Sequence, residues 1–182
     1  AAAGIDVDRR PLRQTALTFN IAHTRPHHDT STEFQTAFGP CVFVPLPGAR
    51  SSVVWVTTPG EAARLMALSD DALSTEAERI MQSIVGRVGV EAGRHSFPLA
   101  IEQPRRFAHN RVVLVGEAAH VLPPIGAQGL NLGIRDAADI AKVIDEARAF
   151  GDDPGAETSL ARYRNLRRLD VQGRMTVVDL AN

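Results

Sequence analysis

Between Arg111 and Ile144 the chain reads RVVLVGEAAHVLPPIGAQGLNLGIRDAADIAKVI, a stretch whose residue types and order suit the binding of an anionic or electron-rich group. Val112 to Val115 is an apolar run too short for a helix and rich in β-branched side chains, which predicts a buried strand. Gly116 ends it. Pro123, Pro124, Gly126 and Gly129 then exclude regular structure up to Leu130. From there Leu130, Ile134, Ala137, Ala141 and Ile144 recur at helical spacing, with Arg135, Asp136, Asp139, Lys142 and Asp145 assigned to the opposite, polar face. A strand, an irregular loop and a long amphipathic helix in that order set backbone N–H groups at the positive end of the helix, where negative charge is favoured.

Other residues with chemical potential form no set. His120 sits in the same stretch, but no Ser-His-Asp or Cys-His combination occurs at a motif spacing, so no catalytic side chain is assigned. His27 and His28 are adjacent, would point to opposite faces of an extended segment, and have no second His/Cys pair at ligand spacing. They read as a solvated loop, and no metal is expected. Cys41 is the only cysteine, which excludes an internal disulfide. In its apolar strand it reads as an inert buried thiol. The G-x-G-x-x-G signature after a first strand is absent, so the chain holds no dinucleotide-binding βαβ unit of its own.

The elements around the stretch predict an α+β fold. At 182 residues, 44% hydrophobic and 23% charged, the chain has the composition of an ordinary globular protein. Its formal net charge of −1 gives no footing for nucleic acid. No run is long enough for a transmembrane helix, and no signal peptide opens the chain, so a cytoplasmic protein is expected, with a peripheral membrane habit left open. Strands are predicted at Arg13 to His23, Glu33 to Phe38, Cys41 to Pro45 and Ser52 to Thr57, with Phe34, Phe38, Phe43 and Trp55 as their aromatic bulk. Two helices follow, Gly60 to Leu68 and Ala72 to Val88. Ser69 is a candidate N-cap, and Ser74 or Thr75 a further one. Leu73, Ala77, Ile80, Ile84 and Val88 form the expected stripe against the sheet. A strand at Gly93 to Ile101 leads to the central stretch. After a loop a last helix carries Leu160, Tyr163, Leu166 and Leu169 on one side. Its arginines (Arg162, Arg164, Arg167, Arg168, Arg174) read as a solvated or salt-bridged face, with contact to a nicotinamide cofactor or another subunit as the alternative. Residues 1–105 are expected as a sheet domain and 106–182 as a second domain.

The segment GEAAHVLPPIGAQGLNLGIRDAADIAKVI resembles the second flavin-binding motif of the FAD-dependent aromatic hydroxylases, the para-hydroxybenzoate hydroxylase class. PIGAQGLNLGIRDAADIA is most similar to the ubiquinone-biosynthesis hydroxylases within it. FGPCVFVPLPGARSSVVWV and FPLAIEQPRRFAHNRVVLVGEAAH resemble the same subgroup's substrate-domain strands, so the likeness runs from about Ala1 to about Asp170. The first FAD motif of that family is missing, and the chain reads as a fragment: an antiparallel substrate sheet covered by helices, then the strand-loop-helix of the second motif.

The resemblance implies roles. Gly116 would let the chain approach the cofactor. Glu117, where the family usually has Asp, would accept hydrogen bonds from the ribityl hydroxyls. Gly126, Gln128, Gly129, Leu130 and Asn131 would bring backbone N–H groups to the pyrimidine edge of the flavin. Pro123, Pro124, Phe43 and Trp55 would border the substrate ring, with plain turn rigidity and plain core as their alternatives. FAD is the implied cofactor, NAD(P)H the reductant, O2 the co-substrate, and a phenol, prenylated as in ubiquinone precursors, the substrate. Three alternatives stay open: a small-phenol hydroxylase, a prenyl reductase, or a folded interaction module without catalysis. Halogenation is disfavoured because Trp55 is the only tryptophan and no Trp-x-Trp exists. Without parallel neighbours, the strand 112–115 is expected to be disordered, covered, or paired with another copy of the chain.

Overall fold

The computed structural model of the protein describes residues 4–123 and 128–168. It divides into two compact units, Pro11–Leu99 and a second made of Ala1–Arg10 with Ala100–Asn182. Where the sequence suggests one boundary at 105/106, the chain passes between the units twice, inside strands β1 (Val7–His23) and β6 (His95–Pro104).

The Pro11–Leu99 unit is built on alternation. β2 (Thr32–Thr36), β3 (Gly39–Leu46), β4 (Arg50–Thr57) and β5 (Val88–Val90) assemble with β1 in the order β2-β3-β4-β1-β5, and β6 also pairs with β1. The register sets Leu17 opposite Trp55 and Phe19 opposite Val53. On the far side of β4, Cys41 faces Trp55 and Phe43 faces Val53. Paired residues share a face of the sheet, so these six make one apolar surface. Helices α1 (Pro59–Ala67) and α2 (Asp70–Ile80) cover it with Ala62, Leu65, Leu73 and Ala77, and Met81 and Val85 complete the core. Each large side chain buried there is worth about 1.5–3 kcal/mol. The helix starts are set by caps. Thr58 Oγ1 accepts from the Glu61 N–H at 3.3 Å with Pro59 opening α1, and Ser69 Oγ accepts from the Ala72 N–H at 3.2 Å.

The second predicted helix is shorter than its periodicity suggests. α2 stops at Ile80 because Gln82 and Ser83 take positive φ (51° and 52°), and the Ser83 N–H turns back to Glu78 O at 3.1 Å. Val88–Val90 then joins the sheet edge as β5, which satisfies backbone groups a helix would otherwise have paired. Ile84 is left 46% exposed. Ser74 and Thr75 cap nothing. Their hydroxyls donate to the Asp70 and Asp71 carbonyls inside α2, and Ser74 Oγ also accepts from the Val90 N–H at 2.9 Å.

In the other unit, β7 (Ala108–His109) and β8 (Val112–Val113) form a tight hairpin. Asn110 and Arg111, both at positive φ (48° and 65°), make its turn. The buried strand expected over Val112 to Val115 is therefore only a two-residue antiparallel one. Val112 and Val115 are 39% and 36% exposed, because the reversal at Asn110 pairs the segment with its own upstream neighbour. After the 3-10 turn Gly116–Ala118 comes α3 (Gln128–Ala149), and residues 157–168 form a further helix, α4. Phe107, Ala108, Ala119, Val143, Leu160 and Tyr163 are the core of this unit. The Tyr163 hydroxyl donates to Leu114 O at 2.7 Å. Burial, with the Asp136 charge adding to it, pushes this phenol above its ordinary pKa.

Candidate functional site

The site begins where the chain leaves β8. Gly116 sits at φ +64°, a conformation that favours glycine, and its carbonyl accepts from both the Ala119 and His120 N–H groups (2.9 and 3.1 Å). Gly133 of α3 lies against it. A Cβ on Gly133 would stand 3.3 Å from Gly116 Cα, so loop and helix meet backbone to backbone with no side chain between them.

A buried polar cluster holds that contact. The Gly116 N–H and His120 Nε2 both reach Asp136 Oδ2, at 2.7 and 2.8 Å. A carboxylate only accepts, so Nε2 carries the proton. Arg167 Nε stands 2.6 Å from Asp136 Oδ1 but is not aimed along a hydrogen-bond line, which makes that contact an ion pair. Arg167 Nη1 donates to Asp139 Oδ2 at 2.7 Å. Asp136, Arg167 and His120 are 0%, 1% and 4% exposed. Such a set is tolerated because each charge meets its opposite, and removing one partner strands the other. His120 Nδ1 is buried with no hydrogen-bond partner among the described residues. Through Asp136 the strand-end loop, α3 and α4 share one anchor. His120 positions the turn; nothing in its contacts points to proton transfer.

This cluster reverses the expected orientation of α3. Leu130 and Ile134, expected to be buried, are 76% and 59% exposed, and Ala137 and Ala141 are exposed as well. The buried side is Leu132, Asp136, Val143 and Ala147, with Ile140 half-buried. That second stripe is also apolar at spacings of three and four except for Asp136, and the acid concealed it. Arg167, expected on a solvated or salt-bridged face, is salt-bridged, and it is buried. The available signal was an acid in an otherwise apolar stripe of α3 and an arginine four positions past Tyr163 in α4, one charge to match the other.

Among the other sequence-derived site residues, Glu117 is exposed on the 3-10 turn, and Gly129, Leu130 and Asn131 are exposed on the first turn of α3. That turn holds no acidic residue, and open space lies beside Gly129 where a Cβ would stand. Pro123 is buried just beyond Val121, whose backbone pairs with Glu102 of β6 (2.9 and 3.1 Å). Pro124, Gly126 and the Gln128 side chain lie outside the described residues. Phe43 and Trp55 are 1% and 4% exposed inside the sheet unit's core, packed among Leu17, Leu65 and Leu73, the plain-core alternative of the two readings. Leu169 and Arg174 also lie outside the description. His27 organises its loop: Nε2 lies 3.0 Å from both Leu46 O and Gly48 O, and Nδ1 accepts from the Asp29 N–H. Among the described residues no group of ligands could hold a metal. An exposed apolar patch beside a long helix's acid-free N-terminus, with a glycine cradle behind it, fits the edge of a flat electron-rich ring such as flavin.

Residues 2–175 match the model of the FAD-binding domain family. Ubiquinone hydroxylase UbiL of Rhodospirillum rubrum is 36% identical over 169 residues, which is 93% of this chain and 39% of that protein. The 3-demethoxyubiquinol 3-hydroxylase of Escherichia coli is 29% identical over 168 residues, 92% of this chain and 43% of the relative. The chain thus spans about two fifths of the length of the curated relatives it matches. Among solved structures, PqsL of Pseudomonas aeruginosa aligns over 96% of this chain and 49% of its own, with TM-score 0.74 and 25% identity. The flavin-dependent halogenase CmlS, at 20% identity and TM-score 0.68 over 88% of this chain and 30% of its own, shares the fold alone.

Proposed function

The chain belongs to the FAD-binding domain family, and on that premise we propose that it forms one half of a flavin site in an enzyme that hydroxylates the aromatic ring of a ubiquinone precursor. The observation that carries this reading is the pair of described pieces, the turn Gly116–Ala118 held against Gly133 and the exposed first turn of α3 with open space beside Gly129. The N–H groups near Leu130 and Asn131 would hold the flavin ring, and the helix N-terminus would favour negative charge on it by about 0.3–2 kcal/mol. Glu117, exposed and one methylene longer than the family's usual Asp, accepts from the ribityl hydroxyls. FAD, when bound and reduced by NAD(P)H, supplies the oxygen-transfer chemistry. The protein's part is to hold the ring, favour its charge and exclude water.

Pro123 and Pro124 border the substrate, a phenol bearing a prenyl chain, as the names of the hydroxylase relatives suggest. Phe43 and Trp55 serve the sheet rather than the substrate. No described helix is long and apolar enough to cross a membrane, and contact with a prenylated substrate is taken to be peripheral. The free edge of β8, which pairs only with β7 among the described residues, is the place for a further strand or a second copy. The test is oxidation of NAD(P)H by the protein at its natural full length, supplied with FAD and oxygen. Prenylated phenols are expected to stimulate it and to return hydroxylated. Flavin loading without stimulation by any prenylated phenol overturns the substrate assignment.

A further inference from the structure

The end of β6, the entry to β7 and one side of α4 enclose a cleft of about 490 Å³ that the flavin reading does not use. Arg105, Arg106, Arg164 and Arg168 line it against a single acid, Glu157, with Gln103 and Asn165 adding amide donors and Pro104 and Phe107 a buried apolar floor. In a chain of formal net charge −1, that is a strong local excess of one sign. Two of the four guanidiniums are already engaged. Arg105 donates twice to Asp8 Oδ1 (3.0 Å each), and Arg164 reaches Glu157 Oε1 at 2.5 Å and Ala108 O at 3.4 Å. These contacts fix both arginines in place. The hydrogen bond from Arg164 holds the Glu157 carboxyl below its usual range, and the Arg106 charge adds to the effect, so the acid stays ionised and cancels only one of the charges. Arg106 and Arg168 are exposed; Arg106 acts on Glu157 only through its charge, and neither arginine is in a direct ion pair with another described residue. The planar forks of unpaired arginines match the paired oxygens of a phosphoryl group. The cleft has the volume of a small-molecule site rather than of a protein interface.

We propose that this cleft binds the phosphate or diphosphate group of a small phosphorylated ligand, with Arg106 and Arg168 as its direct partners and the rest of the ligand over Pro104 and Phe107. A soluble nucleotide and a lipid headgroup both offer that chemistry. The test is calorimetric titration of the whole chain, at low salt, with inorganic pyrophosphate and with ADP, beside co-sedimentation with phosphatidylcholine vesicles with and without phosphatidylglycerol. Pyrophosphate is expected to bind. Arg106→Glu with Arg168→Glu should weaken it at least tenfold without shifting the melting temperature, and the paired Lys replacements should retain part of it. ADP binding without vesicle binding assigns the source as a nucleotide, and binding only to phosphatidylglycerol vesicles assigns a headgroup. Both support the site when the Glu variant abolishes them. No binding of pyrophosphate, ADP or anionic vesicles, or binding that the Glu variant leaves unchanged, overturns it. Binding that survives the Glu variant would place the anion elsewhere, the start of α3 included, and leaves the flavin reading standing.

Discussion

The sheet unit and the unit containing α3 each have an apolar core, but only the second adds to it a buried cluster of charged side chains. Leu17, Phe19, Phe43, Val53 and Trp55 pack by alternation under two amphipathic helices, and any one of them contributes in proportion to the area it buries. Asp136, Arg167 and His120 stand in the other unit with almost no exposure, and their value lies in mutual satisfaction. In the apolar core a loss scales with the volume removed, whereas in the charged cluster it comes from the partner left unpaired. That difference fits what each unit does. A sheet needs only to be stable, while a loop that must hold Gly116 at a fixed place against Gly133 needs directed bonds.

Substitutions can break the comparison. The largest expected effect is Asp136→Ala, which strands the Arg167 charge and should destabilise by about 3–5 kcal/mol in urea unfolding. Replacing Asp136 and Arg167 together by leucine should recover part of that loss, because the buried Arg167 charge goes with its partner, while Asp139 loses its ion pair and the Gly116 and His120 N–H groups lose their acceptor. If the double variant is as unstable as the single, the cluster is not held by charge pairing. Phe43→Ala should also cost about 3–5 kcal/mol, but by leaving a cavity. No companion substitution at a polar site should restore it.

The third prediction uses pH. Burial pushes the Cys41 thiol up to about 12, so the native protein holds this proton where the unfolded chain, with a thiol near its ordinary value of 9.0, has lost it. Cys41 therefore contributes stability that is complete below about pH 9 and is lost as pH rises toward about 12. Native-state alkylation at pH 8 should be slow and should accelerate only on unfolding. Rapid native labelling would show the thiol to be accessible. The smallest effect is expected at Ile134→Ala, within about 0.5 kcal/mol, because that side chain is largely in solvent. A loss of several kcal/mol would mean that this face of α3 is covered.

The sheet unit was legible because its cause is local. Strand alternation, the proline and glycine of the turn at residues 47–49, and the Ser69 cap are all written within a few residues of where they act. α2 was overextended since the sheet edge competed for Val88–Val90, a tertiary effect that helical periodicity does not register. In the other unit the element types were legible and their faces were not. Two stripes of α3 are nearly equal in apolar content, and the buried one contains an acid whose partners, Gly116, His120 and Arg167, lie 16 to 31 positions away. Hydrophobic pattern alone cannot choose it. The motif itself was visible through its glycines and prolines; the anchor beneath it was not.

On the proposed reading, the contact between Gly116 and Gly133 shapes a flavin site. It is tested most directly by the flavin content of the protein purified at its natural full length, with and without Gly133→Val. A valine there would meet the Gly116 backbone at or inside 3.3 Å and push the turn away from α3. The unaltered protein is expected to carry FAD and the variant to bind it at least tenfold more weakly, with sheet-unit stability and the slow Cys41 labelling unchanged. An unaltered protein that takes up no FAD, or a variant that holds it equally well, would contradict it.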